Sequence, residues 1–351
     1  MQTTFWAVLI SLIATGSSFT TPHQNPTRLT SRSTEEINSH CILAASQKTL
    51  RRSHHPMTES SSTATALAVG SDGNDDMSAP TKIGFIGCGT IAVAIATGIA
   101  TQSKINIESI AVSKRSEQKS KLLAETFPDL VTIQEDNQKI LDDTDLIFLC
   151  VLPEHTSEIV KNLTFDTERH TLVSLVSTAK LEDLVQDSKL DATRVSKMIC
   201  LPSIAKHQGV SLHCCPTKNS FLTSLFQATG GVSTLQSESE LEAAMMTTCV
   251  MGPIYGMMKH GRDWLTQHTE LSVEEASELV VKQYVGAVLD AERDCDQPNR
   301  LEDLIAEQTP GGINEQALRN MEQLGGLETQ TKVMDAILSR IRGESDGSVS
   351  S

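Results

Sequence analysis

Residues 82–98 read KIGFIGCGTIAVAIATG. An apolar run at 83–86 enters Gly87-Cys88-Gly89, and from Thr90 small and apolar residues continue at helical spacing. That order predicts a strand, a tight turn and a helix. Gly87, Gly89 and Ala92 stand in the pattern G-x-G-x-x-A. The first glycine permits the turn, the second lets an anion approach the backbone, and the alanine lets helix pack closely on strand. A diphosphate can rest on the free amides at such a helix start, where the helix dipole favours negative charge. The stretch therefore predicts a dinucleotide-binding, Rossmann-type domain.

Downstream, a short strand at 109–113 ends in Ser113-Lys114-Arg115-Ser116. An acid at this strand end would bind the 2′-hydroxyl of NAD. Two cations and two hydroxyls suit a 2′-phosphate instead, so NADP(H) is favoured over NAD(H); a solvated basic turn is the alternative. A helix follows at 116–127, a weak strand at 131–133 and a strong buried strand at 145–151 (DLIFLCV). A helix at 155–163, a strand at 171–176 and two further strands at 194–201 and 210–214 complete an alternation that implies a parallel, doubly wound α/β sheet. Beyond 239 the pattern is helical, over 239–267, 272–294, 300–307, 312–324 and 328–342. Val273, Ala276, Val280, Tyr284, Ala287, Val288 and Ala291 recur at helical spacing. An ordinary core face accounts for them, and so does an all-α C-terminal domain that completes its burial in a homodimer. The expected organisation is a Rossmann domain at 81–236, a helical domain at 237–343 and a polar, disordered tail at 344–351.

The chain has 351 residues, 39% of them hydrophobic, and a net charge of −15. That charge argues against non-specific binding to nucleic acid or to an anionic membrane surface. Any anionic ligand needs a local positive field. Eight cysteines show no CxxC pair, and the neighbours Cys214 and Cys215 would point to opposite faces of a strand. No metal site or disulfide framework is expected. Residues 1–18 carry a short apolar run ending in small residues, like the core of a signal peptide. Residues 19–80 are rich in Ser, Thr, Asn and His and predict no packed core. Together they resemble a bipartite plastid-targeting leader. A plain secretory signal with a disordered linker is the alternative, and Glu35 and Glu36 weigh against a mitochondrial presequence.

From about residue 82 to 342 the chain resembles pyrroline-5-carboxylate reductases. KIGFIGCGTIA is close to that family's KIGFIGxGxMA, and Asp136-Asn137 followed by DLIFLCVLP resembles TDN…DVIFLAVKP. EQTPGGINEQAL at 307–318 resembles SPGGTT…AL, and Gly252-Pro253 with Tyr255 resembles GSGPAY. The resemblance implies an enzyme in which NADPH reduces the C=N bond of (S)-1-pyrroline-5-carboxylate to give L-proline. By position it implies cofactor contacts from Gly87, Cys88, Gly89, Thr90, Ile91, Ser113, Lys114, Arg115, Asn137, Val151, Leu152 and Pro153, with Ser177 joining them. Substrate contacts fall to Thr309, Gly311, Gly312 and Asn314, with Asn314 as the candidate catalytic donor near the imine nitrogen.

Pro310 and the two glycines expose amides at a helix start, which suits a substrate carboxylate and supplies the positive field that the net charge withholds. Departures cluster on the substrate side. Cys200-Leu201-Pro202-Ser203 stands where the family has Pro-Asn-Thr-Pro, and Cys249-Val250-Met251 where it has Ser-Gly-Ser. Leu152 replaces a lysine and Asn314 a threonine. A reductase of a different imine substrate, or a non-catalytic or regulatory NADP(H)-binding protein, are the alternatives. A 3-hydroxy-acid dehydrogenase is disfavoured, because Asp263 follows Lys259 where an Asn would stand.

Overall fold

The computed structural model describes residues 81–214 and 220–349. The leader segments expected at 1–18 and 19–80 lie outside the described residues. The described chain divides after Met245 into two compact units.

The first unit is an eight-stranded sheet of order β3-β2-β1-β4-β5-β6-β7-β8. Its strands are β1 (Thr81–Ile86), β2 (Ile107–Ser113), β3 (Val131–Gln134), β4 (Leu146–Leu149), β5 (Thr171–Ser174), β6 (Val195–Ile199), β7 (Ser211–Cys214) and β8 (Val232–Leu235). Between them run α1 (Thr90–Thr101), α2 (Glu117–Thr126), α3 (Asn137–Asp143), α4 (Thr156–Lys161), α5 (Leu181–Ser188) and α6 (Ser220–Ala228). Helix α7 (Glu238–Met245) follows β8 and packs on β7 and β8. It therefore belongs with the sheet, which carries the unit past the expected limit at 236.

Strand alternation explains why DLIFLCV reads as continuously apolar. Leu146 and Phe148 enter one core layer with α1, α2 and α6, while Ile147 and Leu149 enter the other with α3, α4 and α5. A strand covered on both faces has no polar side to show. Phe148 stacks on Phe85 at 5.0 Å and meets Phe226 edge-on at 5.9 Å. Close helix approach depends on small residues. A β-carbon at Gly98 of α1 would lie 2.6 Å from the Ile204 carbonyl oxygen.

The chain leaves β1 outward to β2 and β3, then returns to β4 on the other side of β1. This reversal opens a crevice at the C-terminal strand ends, where open α/β sheets bind ligands. Two features depart from the sequence expectation. Strand β7 runs antiparallel to β6, so the sheet is not wholly parallel. The chain between them closes a 3₁₀ turn (Pro202–Lys206) over α1 rather than making a helical crossover. Strand β8 (VSTL) and α6 are additional, and β8 pairs parallel to β7.

The second unit is helical: α8 (Met251–His268), α9 (Val273–Glu292), α10 (Arg300–Ala306), α11 (Ile313–Gln323) and α12 (Gly326–Ile341). The single helix expected over 239–267 is broken between α7 and α8 by a 3₁₀ turn, Met246–Thr248. Pro253 contributes, since without an amide hydrogen it cannot make a helical bond to residue 249. Ser272 and Glu275 form a reciprocal capping box at the start of α9. The segment expected as a tail at 344–351 turns back at its start, the Glu344 amide donating to the Ser339 carbonyl at 2.9 Å. Among the described residues no helix is long and apolar enough to cross a membrane.

Candidate functional site

The glycine turn is built as its pattern requires. Gly87 has φ 93°, and a β-carbon there would lie 2.4 Å from the Cys150 carbonyl oxygen. Only glycine fits. Gly89, the N-cap of α1, has nothing within 4 Å of a β-carbon position and no side-chain cap. The first amides of an α-helix lack partners within it, which is what a diphosphate seat requires. Ala92 is 1% exposed where α1 meets the sheet. Cys88 turns its thiol inward, and burial pushes it up to about 12 against the opposing Lys119 cation. Only its backbone is left to meet a ligand.

The buried hydroxyl of Ser113 accepts from the Gly87 amide at 2.9 Å and so braces the turn. Lys114 is partly spent. Its ammonium donates to both oxygens of Glu135 at 2.8 and 2.9 Å, a carboxylate that raises its pKa. Arg115 and Ser116 are exposed, Ser116 at φ 90° at the start of α2.

Arg115 and Asn137 come together on one open cleft of about 670 Å³, with His155, Glu158 and Asn162 on its α4 side. Asp136 caps α3 by accepting from the Gln138 amide at 2.6 Å, which holds Asn137 at the helix start. Three of these residues, His155, Glu158 and Asn162, were not singled out in the sequence because helix spacing alone does not aim them at β2. Lys119 was missed as well. Its ammonium donates to the Thr90 hydroxyl at 3.0 Å, which sets a cation beside the glycine turn. The signal was its place one helical turn past Arg115.

Past the switch point lie the remaining cofactor candidates. Val151 and Ser177 are half-buried, whereas Leu152 and Pro153 are exposed after β4. Ser177 follows β5, and its carbonyl accepts from Lys197 at 3.1 Å.

In the helical unit, Gly311 has φ 72° and Gly312 caps α11. The amides expected to be free are engaged within the loop. Gly311 donates to the Glu315 carboxylate at 2.5 Å, and Gly312 to the Thr309 carbonyl at 2.8 Å. Asn314 lies exposed in the first turn of α11, and Thr309 is exposed beside it. A carboxylate three residues into a helix reaches back to amides ahead of the cap, as capping boxes do.

Comparison with known proteins agrees with this layout. The family model described as NADP oxidoreductase, coenzyme F420-dependent, matches residues 82–178, from β1 to the loop after β5. Pyrroline-5-carboxylate reductase 2 of Bacillus subtilis is 25% identical over 246 residues, 69% of this chain and 87% of that protein. Pyrroline-5-carboxylate reductase 3 of Danio rerio is 26% identical over 65% of this chain and 70% of its own. In fold, the chain matches the NADP-bound pyrroline carboxylate reductase of Plasmodium falciparum with a TM-score of 0.64 at 20% identity. That match covers 76% of this chain and 98% of that one. In its glycine turn, its sheet and helical units and its sequence, the chain is similar to pyrroline-5-carboxylate reductases, at identities of 20–26%.

Proposed function

We propose that this protein is an NADPH-dependent reductase of a cyclic imine, with (S)-1-pyrroline-5-carboxylate as the leading substrate and L-proline as the product. The observation that carries the reading is the glycine turn, with Gly87 locked against Cys150 and Gly89 open above the start of α1. The names of the curated relatives support the reaction, and the NADP bound to the Plasmodium falciparum protein supports the cofactor class. The residues fit the dinucleotide. Amides of α1 would hold its diphosphate, with Lys119 beside them. Arg115 and Asn137 would take the 2′-phosphate and ribose in the cleft they share, the preference for NADPH resting on Arg115 and on the absence of an acid at the end of β2. Bound NADPH supplies a hydride. What the protein adds is orientation of an electron-poor C=N carbon and a hydrogen-bond donor near its nitrogen, a role we assign to Asn314. Thr309, Gly311 and Gly312 would meet the substrate carboxylate once Glu315 gives way.

Exposure of the helical unit supports a homodimer. Trp264, Val288, Leu301, Ile305, Ile313 and Leu324 are each more than half exposed. Apolar area of this extent on a helical unit is what a second copy can cover. The leader residues and their composition support delivery to a plastid, with the secretory pathway or the mitochondrion as alternatives.

Following reduced-nicotinamide absorbance with pyrroline-5-carboxylate and a panel of cyclic imines tests the reaction. Turnover that is faster with NADPH than with NADH is the expected result. Engagement of the Gly311 amide by Glu315 favours a second reading, an NADP(H)-binding regulator or a reductase of an imine without a carboxylate. Tight NADPH binding with no turnover of any imine would establish the regulator and end the reductase reading.

A further inference from the structure

Lys197 stands on β6 with its side chain 3% exposed. Strand alternation puts it on the face of Val195, which packs in the apolar layer with Leu184 and Leu190. An ammonium in such a place needs partners, and it has two. It donates to Glu238 Oε1 at 2.5 Å and to the Ser177 carbonyl at 3.1 Å. Glu238, the first residue of α7, also accepts from the Leu181 amide at 3.3 Å on each oxygen. Leu181 opens α5, whose N-cap Lys180 supplies no side-chain cap. This ion pair, buried at Lys197 and half-buried at Glu238, thus fastens both ends of the loop from Ser177 to Leu181.

The location of that loop gives the pair its meaning. Ser177 follows β5 at the C-terminal edge, on the opposite side of the β1/β4 crevice from Arg115. A dinucleotide with its 2′-phosphate near Arg115 and its diphosphate over α1 runs its other half across β4 and β5. Stability alone does not account for a lysine here, since apolar residues of similar volume generally serve as well as a buried pair. What the pair supplies is a fixed position for two backbone groups. We propose that Lys197 and Glu238 are positioning residues that hold the Ser177 loop against the nicotinamide half of the cofactor. The inference rests on the dinucleotide reading above.

Two ligands separate local positioning from general damage. NADPH spans the whole crevice, whereas 2′,5′-ADP reaches only the Arg115 side. Lys197→Met is expected to raise the NADPH Kd by about five- to tenfold, the loss of roughly one loop contact. It should leave the 2′,5′-ADP Kd within about twofold of the wild type. Equal weakening of both ligands would mean a merely structural pair and would overturn the proposal, as would an unchanged NADPH Kd. If Lys197→Met does not fold by circular dichroism, Glu238→Gln carries the same expectations with a smaller change. A wild-type protein that binds neither ligand would bring down the dinucleotide reading and this inference with it. Wild-type binding of both, followed by an equal loss in the variants, would bring down this inference alone.

Discussion

Alanine at Gly87 and at Gly89, one at a time, separates the geometry of the turn from the seat of the cofactor. At Gly87 the new β-carbon would lie 2.4 Å from the Cys150 oxygen, against about 3.4 Å for an ordinary contact. The Cys150 peptide cannot easily retreat by that distance, because its amide is bound to the Ile86 carbonyl at 2.8 Å. An L-residue at φ 93° costs about 1–2 kcal/mol, and the forced contact adds about 1–3 kcal/mol. A loss of roughly 2–5 kcal/mol lowers Tm by about 5–15 °C for a unit of this size. Gly89 differs. Its φ of −76° and ψ of −175° suit alanine, and the added methyl meets nothing. A small capping loss is offset by reduced freedom of the unfolded chain, leaving stability within about 1 kcal/mol. The methyl instead occupies the place of the diphosphate, so the NADPH Kd should rise at least about tenfold, or about 1.4 kcal/mol. Thermal melts and titrations of NADPH fluorescence read the two effects separately. Wild-type NADPH affinity in Gly89→Ala would refute the seat, and a wild-type melt in Gly87→Ala would refute the steric account.

Arg115→Ala should weaken NADPH about tenfold and NADH hardly at all, whereas Lys114→Ala should change either by about twofold, its ammonium being shared with Glu135. Equal losses for both cofactors on removing Arg115 would exclude it as the reader of the 2′-phosphate. His213 is fully buried with neither ring nitrogen partnered, and burial lowers its pKa from 6.5 to about 4. The unfolded chain then binds the proton more readily. Stability is therefore full above about pH 6.5 and declines as pH falls through 4, by about 3 kcal/mol in all. Denaturant melts of His213→Leu should lack that component, and curves parallel to the wild type's would refute it. Val288→Asp places a charge on a side chain that is 63% exposed and should yield monomers by light scattering if a second copy covers α9. An unchanged mass would count against a dimer through this face.

The half of the fold legible in the sequence is the half written in near neighbours. The glycine turn, the buried run of β4 and the long helix α9 follow from glycine conformation, strand alternation and helical spacing. Strand β8 escaped notice because VSTL is short, with Ser233 interrupting its apolar character. The break before α8 was written in Pro253 but hidden by apolar residues on either side. At the candidate site, Gly87, Gly89, Arg115 and Asn137 could be singled out because the reading rests on backbone form and charge. The partners of Ser113 and Lys114, Gly87 and Glu135, were not legible, because they are distant in sequence.

By itself, the sequence determined a β-turn-α start fit for a diphosphate, a basic end to the second strand and a helical second half. Each of these depends on residues within a turn or two of one another. Only the tertiary structure decided that the Ser113 hydroxyl braces the glycine turn, that Lys119 reaches Thr90, and that Lys197 and Glu238 tie the loop after β5. Those partners are chosen by which strand ends lie side by side. Hydrogen bonds and ion pairs act over about 3 Å, and no local period records which distant residue will come that close.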